Sequence, residues 1–88
     1  MSYIVYILYS VSVDRYYVGQ TSNLDDRLQR HNQGRSKYTK SGIPWVLKYK
    51  ELFATRPDAM EREREIKSSE SRDQLVRYIK LPQNDLVN

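Results

Sequence analysis

Tyr3 to Tyr9, YIVYILY, is an uninterrupted run of β-branched, aliphatic and aromatic side chains without a charge. It is long enough for a buried strand and short for a helix, and its composition favours the strand. Val11 to Arg15 reads as a turn with Asp14 near its tip. Tyr16-Tyr17-Val18-Gly19 then returns as a second strand, so the two form an antiparallel hairpin. Any fold for this chain has to bury that hairpin.

The rest of the chain supplies elements to cover it. Ser22-Asn23 offers an N-cap, Asp25 and Asp26 occupy the first turn, and Leu24 and Leu28 share a face of a helix ending near Asn32, with Gly34 as its stop. Gln33 to Ser41 is polar and basic, as loops are. After Pro44, Trp45 to Phe53 alternates well enough for a third strand. Thr55 caps a helix with Pro57 in its first turn, running through Ala59, Met60, Glu63, Ile66 and Lys67. Ser71 and Gln74 have capping-box spacing and start a short helix that stops before Pro82. The expected fold is α+β: a small three-stranded antiparallel sheet flanked by helices, in the order β-β-α-β-α-α. With 88 residues, the chain is too short for two separate cores, so residues 1–82 form one domain and 83–88 a frayed tail.

Composition removes several functions. Zero cysteines exclude a disulfide scaffold, a Cys-ligated zinc site and a thiol nucleophile, and one histidine excludes a His-rich metal cluster. No apolar run is long enough to cross a bilayer, and the start Met1-Ser2-Tyr3-Ile4 lacks the basic region of a signal peptide, so a cytoplasmic domain without a membrane partner is expected. The net charge of +4 leans toward a polyanion, but the average conceals a pattern. From Arg27 through Lys50 there are seven basic residues (Arg27, Arg30, Arg35, Lys37, Lys40, Lys48, Lys50) and no acid. With Tyr38, Thr39 and Ser41 adding hydroxyl donors for phosphate oxygens, the stretch is a candidate nucleic-acid footprint, against the plainer reading of a solvated face.

Three features carry candidate chemistry. Tyr6 falls on the sheet face opposite Val5 and Ile7, while Tyr17 and Gly19 share a face; Gly19 inside a strand marks a close approach and a candidate groove floor. The plainer reading makes these tyrosines half-buried sheet residues. Arg27 and His31 stack at i and i+4 beside the Leu24–Leu28 face, or form a solvated flank with His31 at the helix C-terminus. Glu63 shares an apolar stripe with Ala59, Met60 and Ile66; an inward carboxylate needs a metal or a cation, Arg27 or Lys67 being the structural partners.

Taken together, these residues resemble the GIY-YIG nuclease domain. Its two signatures stand here as Ile4-Val5-Tyr6 and Tyr17-Val18-Gly19. Gly19 to Asn32 resembles the family's G-x-T-x-x-L-x-x-R-x-x-x-H-N stretch, and Gly34 to Thr39 and Ala59 to Lys67 complete the match. The chain is most similar to small stand-alone members related to the N-terminal nuclease domain of the bacterial excision-repair incision subunit. Ile4 replaces the first signature's glycine, and Gln20 stands where some members carry lysine.

The resemblance implies a Mg²⁺-dependent (or Mn²⁺-dependent) DNA endonuclease, structure-selective in repair or recombination. Glu63 would bind the ion, Arg27 would clamp the scissile phosphate, and Tyr6 would deprotonate or orient the attacking water, with Tyr17 beside it and His31 assisting. Arg30, Arg35, Lys37, Tyr38 and Lys40 would contact the nucleic acid, and the protein would act as a monomer or weak dimer. The rival readings are a non-catalytic nucleic-acid-binding module on the same fold and an interaction domain whose basic stretch meets an acidic protein.

Overall fold

A computed structural model describes residues 2–35, 37–68 and 71–86. The elements are β1 (Tyr3–Ser10), β2 (Arg15–Thr21), α1 (Leu24–Asn32), a short 3-10 turn (Lys40–Gly42), β3 (Trp45–Phe53), α2 (Arg56–Lys67) and α3 (Arg72–Lys80). The architecture is thus α+β in the expected order. The sheet order is β2-β1-β3 with both pairings antiparallel, so the apolar run β1 takes the centre. The helix starts follow from local chemistry: the side chains of Asn23, Thr55 and Ser71 accept from the backbone N–H of Asp26, Asp58 and Gln74. Gly34 stops α1 in the left-handed region at φ 75°.

Alternation along β1 sends two sets of side chains to opposite faces, and both faces are covered. Val5, Ile7, Val18 and Tyr49 pack with Ala59 and Ile66 of α2, joined by Leu75, Tyr78 and Ile79 of α3. On the other face Tyr6, Leu8 and Trp45 pack with Leu24 of α1, joined by Tyr17, Leu28, Ile43 and Leu47. The expected single core is therefore two apolar clusters sharing one sheet, because the β2-to-β3 crossover lays α1 on one side and the chain then returns to lay α2 and α3 on the other.

Three sequence expectations need correction. Met60 is 43 % exposed; its place on the helical arc is solvent-facing, and only Ala59 and Ile66 of the expected stripe are fully buried. The seven basic residues do not all lie on loop and helix: Lys48 and Lys50 belong to β3, where a register shift between Ile7 and Leu8 leaves Lys48 out of the pairing. The expected fraying of 83–88 does not hold for 83–86. Asn84 is fully buried. Its side chain accepts from Lys50 N–H at 3.1 Å and donates to the carbonyls of Lys48 at 2.9 Å and Ile79 at 2.8 Å. Asp85 N–H donates to Lys50 C=O at 2.8 Å. The tail thereby satisfies backbone groups on the outer edge of β3 that β1 cannot reach. Residues 87 and 88 lie outside the described residues.

Candidate active site

The site grows from one row across the sheet. Tyr6 stands opposite Gly19 on β2 and opposite Lys50 on β3. Gly19 is required there: a Cβ would come within 2.6 Å of Tyr6 Oη and 2.8 Å of its Cζ. The glycine is a floor, as its sequence position suggested, but the tyrosine ring lies directly on it. Tyr6 is 1 % exposed, with the Tyr17 ring beside it at a centroid distance of 6.3 Å.

Helix α1 brings in the next layer. Arg27 brings its positive charge beside the Tyr6 phenol, where it favours the ionised form. His31, one turn on, is 2 % exposed; it sits edge-on to Tyr17 at 4.8 Å, with Nε2 3.4 Å from Tyr6 Oη. Its other nitrogen, Nδ1, lies 2.8 Å from Thr39 Oγ1. The solvated-flank reading of His31 is thus overturned, because the loop after α1 folds back and seals it. Tyr17, Arg27, Arg30, His31 and Arg35 line an open cleft of about 350 Å³. Arg30 is also shared with Asp26 at 3.1 Å. Lys37, Tyr38 and Lys40 are exposed on the neighbouring loop and are not among the cleft-lining residues. Tyr38 is 92 % exposed.

From the opposite side of the sheet, α2 supplies Glu63. Its side chain is 21 % exposed and pairs with Lys67 at 3.2 Å; of the two structural partners considered from sequence, the lysine is the one found. The negative charge of Glu63 helps push the Tyr6 phenol above its ordinary value.

Electrostatics fix the resting protonation of the pair. Burial pushes the Tyr6 phenol well above its ordinary value of 10, Tyr17 and Glu63 add to the rise, and Arg27 opposes it. Burial, assisted by Arg27, pushes His31 below its ordinary value of 6.5. At neutral pH the site therefore holds a protonated phenol beside a neutral imidazole. Tyr6 as water-activating base is possible only once additional positive charge lowers it.

The model of the GIY-YIG catalytic domain matches residues 2–77. This chain belongs to the GIY-YIG family. A UPF0213 protein of Staphylococcus haemolyticus is 45 % identical over 64 residues, covering 72 % of this chain and 77 % of that protein. One from Bacillus licheniformis is 42 % identical over 64 residues, covering 72 % of this chain and 65 % of that protein. The solution structure of a UPF0213 protein from Bacillus halodurans aligns over 98 % of this chain and 90 % of its own, with a TM-score of 0.61 at 30 % identity. The family is one of nuclease domains, which implies a nucleic-acid substrate.

Two pairings beside the site were not readable from the sequence. Thr39, taken as a phosphate-facing donor, is 1 % exposed; its hydroxyl is turned inward to His31 and its carbonyl accepts from Trp45 Nε1 at 2.7 Å. Asn32 is the clamp that seats Trp45, accepting from its N–H at 2.6 Å and donating to its C=O at 3.2 Å. Neither pairing follows a helical or strand period, so no local pattern signals it.

Among the described residues no three His, Cys, Asp or Glu side chains converge. The donor set at the site is one half-buried carboxylate, a hard oxygen ligand. It fits a divalent ion that keeps most of its waters, and does not fit a protein-caged one.

Proposed function

We propose that this chain is a Mg²⁺-dependent endonuclease hydrolysing DNA phosphodiester bonds, with Tyr6, Tyr17, Arg27, His31 and Glu63 working in one groove. The observation that carries this reading is a cleft lined by Arg27, Tyr17 and His31, with the charge of Arg27 bearing on the buried Tyr6 phenol. Arg27 is the phosphate clamp, since its forked, permanently charged guanidinium matches two phosphate oxygens. Arg30 and Arg35 hold the flanking backbone, and Lys37, Tyr38 and Lys40 extend the contact along the strand. Glu63 is the residue that would hold Mg²⁺ or Mn²⁺, releasing Lys67 as it does so. A bound ion supplies stabilisation of the charge on the phosphate and the leaving oxygen. Tyr6 orients the attacking water and takes its proton once the phenol has been lowered, and Tyr17 and His31 hold the phenol in place.

One observation favours a second reading, a binding module without hydrolysis: Glu63 is already neutralised by Lys67. A panel of duplex, nicked, flapped, branched and single-stranded substrates, with and without Mg²⁺, separates the two. Cleavage that requires the ion and is lost in Glu63→Ala, with DNA binding kept, is the expected outcome. Undiminished cutting by Glu63→Ala would sink the metal assignment, and salt-sensitive binding with no cutting of any substrate would leave the binding module.

A further inference from the structure

Tyr6 Oη faces two nitrogenous neighbours of different capacity. Arg27, whose charge bears on the phenol, can only donate, so toward it the phenol oxygen can only accept. The phenol's own proton therefore needs a different acceptor. His31 Nε2, 3.4 Å away, is the nitrogen placed to take it. For a neutral imidazole, a lone pair at Nε2 means that the proton sits on Nδ1. Nδ1 in turn lies 2.8 Å from Thr39 Oγ1, a hydroxyl able to accept.

We propose that Thr39 is a positioning residue that holds His31 as the Nδ1–H tautomer by accepting its proton, so that Nε2 is kept free to receive the hydrogen of Tyr6. Thr39, 1 % exposed, acts through His31. Its backbone is itself anchored, because the Trp45 indole donates to its carbonyl at 2.7 Å and Asn32 clamps the Trp45 backbone. The ring beneath that anchor is tightly seated, since a Cβ on Gly42 would strike the Trp45 ring. Both members of the pair are almost fully buried, at 2 % and 1 % exposure, so bulk water cannot easily replace the hydroxyl. The arrangement has the logic by which a second group fixes the tautomer of an active-site histidine. In the proposed reaction, Tyr6 passes its proton to Nε2 as it takes one from water, and the imidazolium so formed keeps its Nδ1–H bond to Thr39. Proton number is conserved, and no other reactant enters.

The inference rests on the nuclease reading for its catalytic consequence but not for its structural one, and two measurements keep these apart. This chain has a single histidine, so ¹⁵N-labelled protein gives one imidazole pattern. Multiple-bond ¹H–¹⁵N NMR at neutral pH is expected to show a protonated Nδ1 and a bare Nε2. A wild-type Nε2–H pattern would overturn the proposal, whatever the enzyme does. In Thr39→Val, which keeps the side chain's shape, the pattern should move to Nε2–H, whereas Thr39→Ser should retain Nδ1–H. An unchanged pattern in folded Thr39→Val would overturn the proposal as well. If the protein cleaves DNA, Thr39→Val should lower kcat at least tenfold with KM within twofold of wild type, and Thr39→Ser should recover most of the loss. Equal kcat in all three would remove the catalytic role. Absence of cleavage by wild type would strike the nuclease reading while leaving the tautomer result standing.

Discussion

The two faces of the sheet are built from the same three strands and do different work. On the α2–α3 face the cluster is aliphatic and aromatic, with Val5, Ile7, Tyr49, Ala59 and Ile66 at zero exposure. On the α1 face, four of the five buried polar side chains among the described residues are found: Ser10, Thr21, His31 and Thr39. The fifth, Asn84, serves the β3 edge. Apolar burial stabilises without direction, while buried polar groups stabilise little and specify geometry strongly. The difference teaches that the α2–α3 face chiefly holds the domain together, with Glu63 on its helix, while the α1 face holds the buried polar side chains in place.

Substitutions can break that division. The largest effect should come from Arg27→Ala. Turnover should fall on the order of 10²–10³-fold, the scale of losing one positioned charge-stabilising donor, with a much smaller change in DNA binding and thermal stability. A loss of binding proportional to the loss of rate would make Arg27 only an anchor. Ile66→Ala on the opposite face should do the reverse, costing about 2–5 kcal/mol in denaturant unfolding while leaving kcat per folded molecule intact. If both variants lost stability equally, the faces would not differ as described.

Gly19→Ala sharpens the boundary. Its methyl group would strike the Tyr6 phenol at 2.6 Å, so the ring must shift. Overpacking of this kind typically costs about 1–3 kcal/mol, and cleavage should drop along with the loss of the Tyr6–Arg27 contact. Retained activity would show that the phenol's seat is not critical. The smallest effect concerns pH. Because His31 is lowered from 6.5 in the folded state, the unfolded chain takes up a proton that the folded chain refuses. Stability should therefore fall as pH drops through 6.5 and level off below the depressed folded value. Thermal unfolding of His31→Gln across this window should lack that slope; an identical slope in both proteins would mean the imidazole is not resisting protonation.

How much of this was legible in the sequence depended on how local the cause was. The hairpin, the three capped helices and the stop at Gly34 follow from neighbours within four residues, and each formed where its residues indicated. Tyr6, Tyr17, Arg27 and Glu63 were legible as candidates, because period and signature spacing placed them on defined faces. What the periodicity did not contain was long-range closure. Met60 looked inward by spacing, yet the arc α2 buries is narrower than its apolar content. His31 looked like a helix flank until the loop carrying Thr39 closed over it, and the tail looked frayed because a single asparagine, Asn84, carries its docking.

That asparagine bears on how this molecule behaves among copies of itself. A three-stranded sheet has two open rims, and an open rim invites a strand from another chain. With Lys48 and Lys50 main-chain groups already taken by Asn84 and Asp85, the middle of the β3 rim is closed to a neighbour's strand. One buried amide thus works as a stopper against end-to-end growth of the sheet, a safeguard located as far from the cleft as the three strands allow.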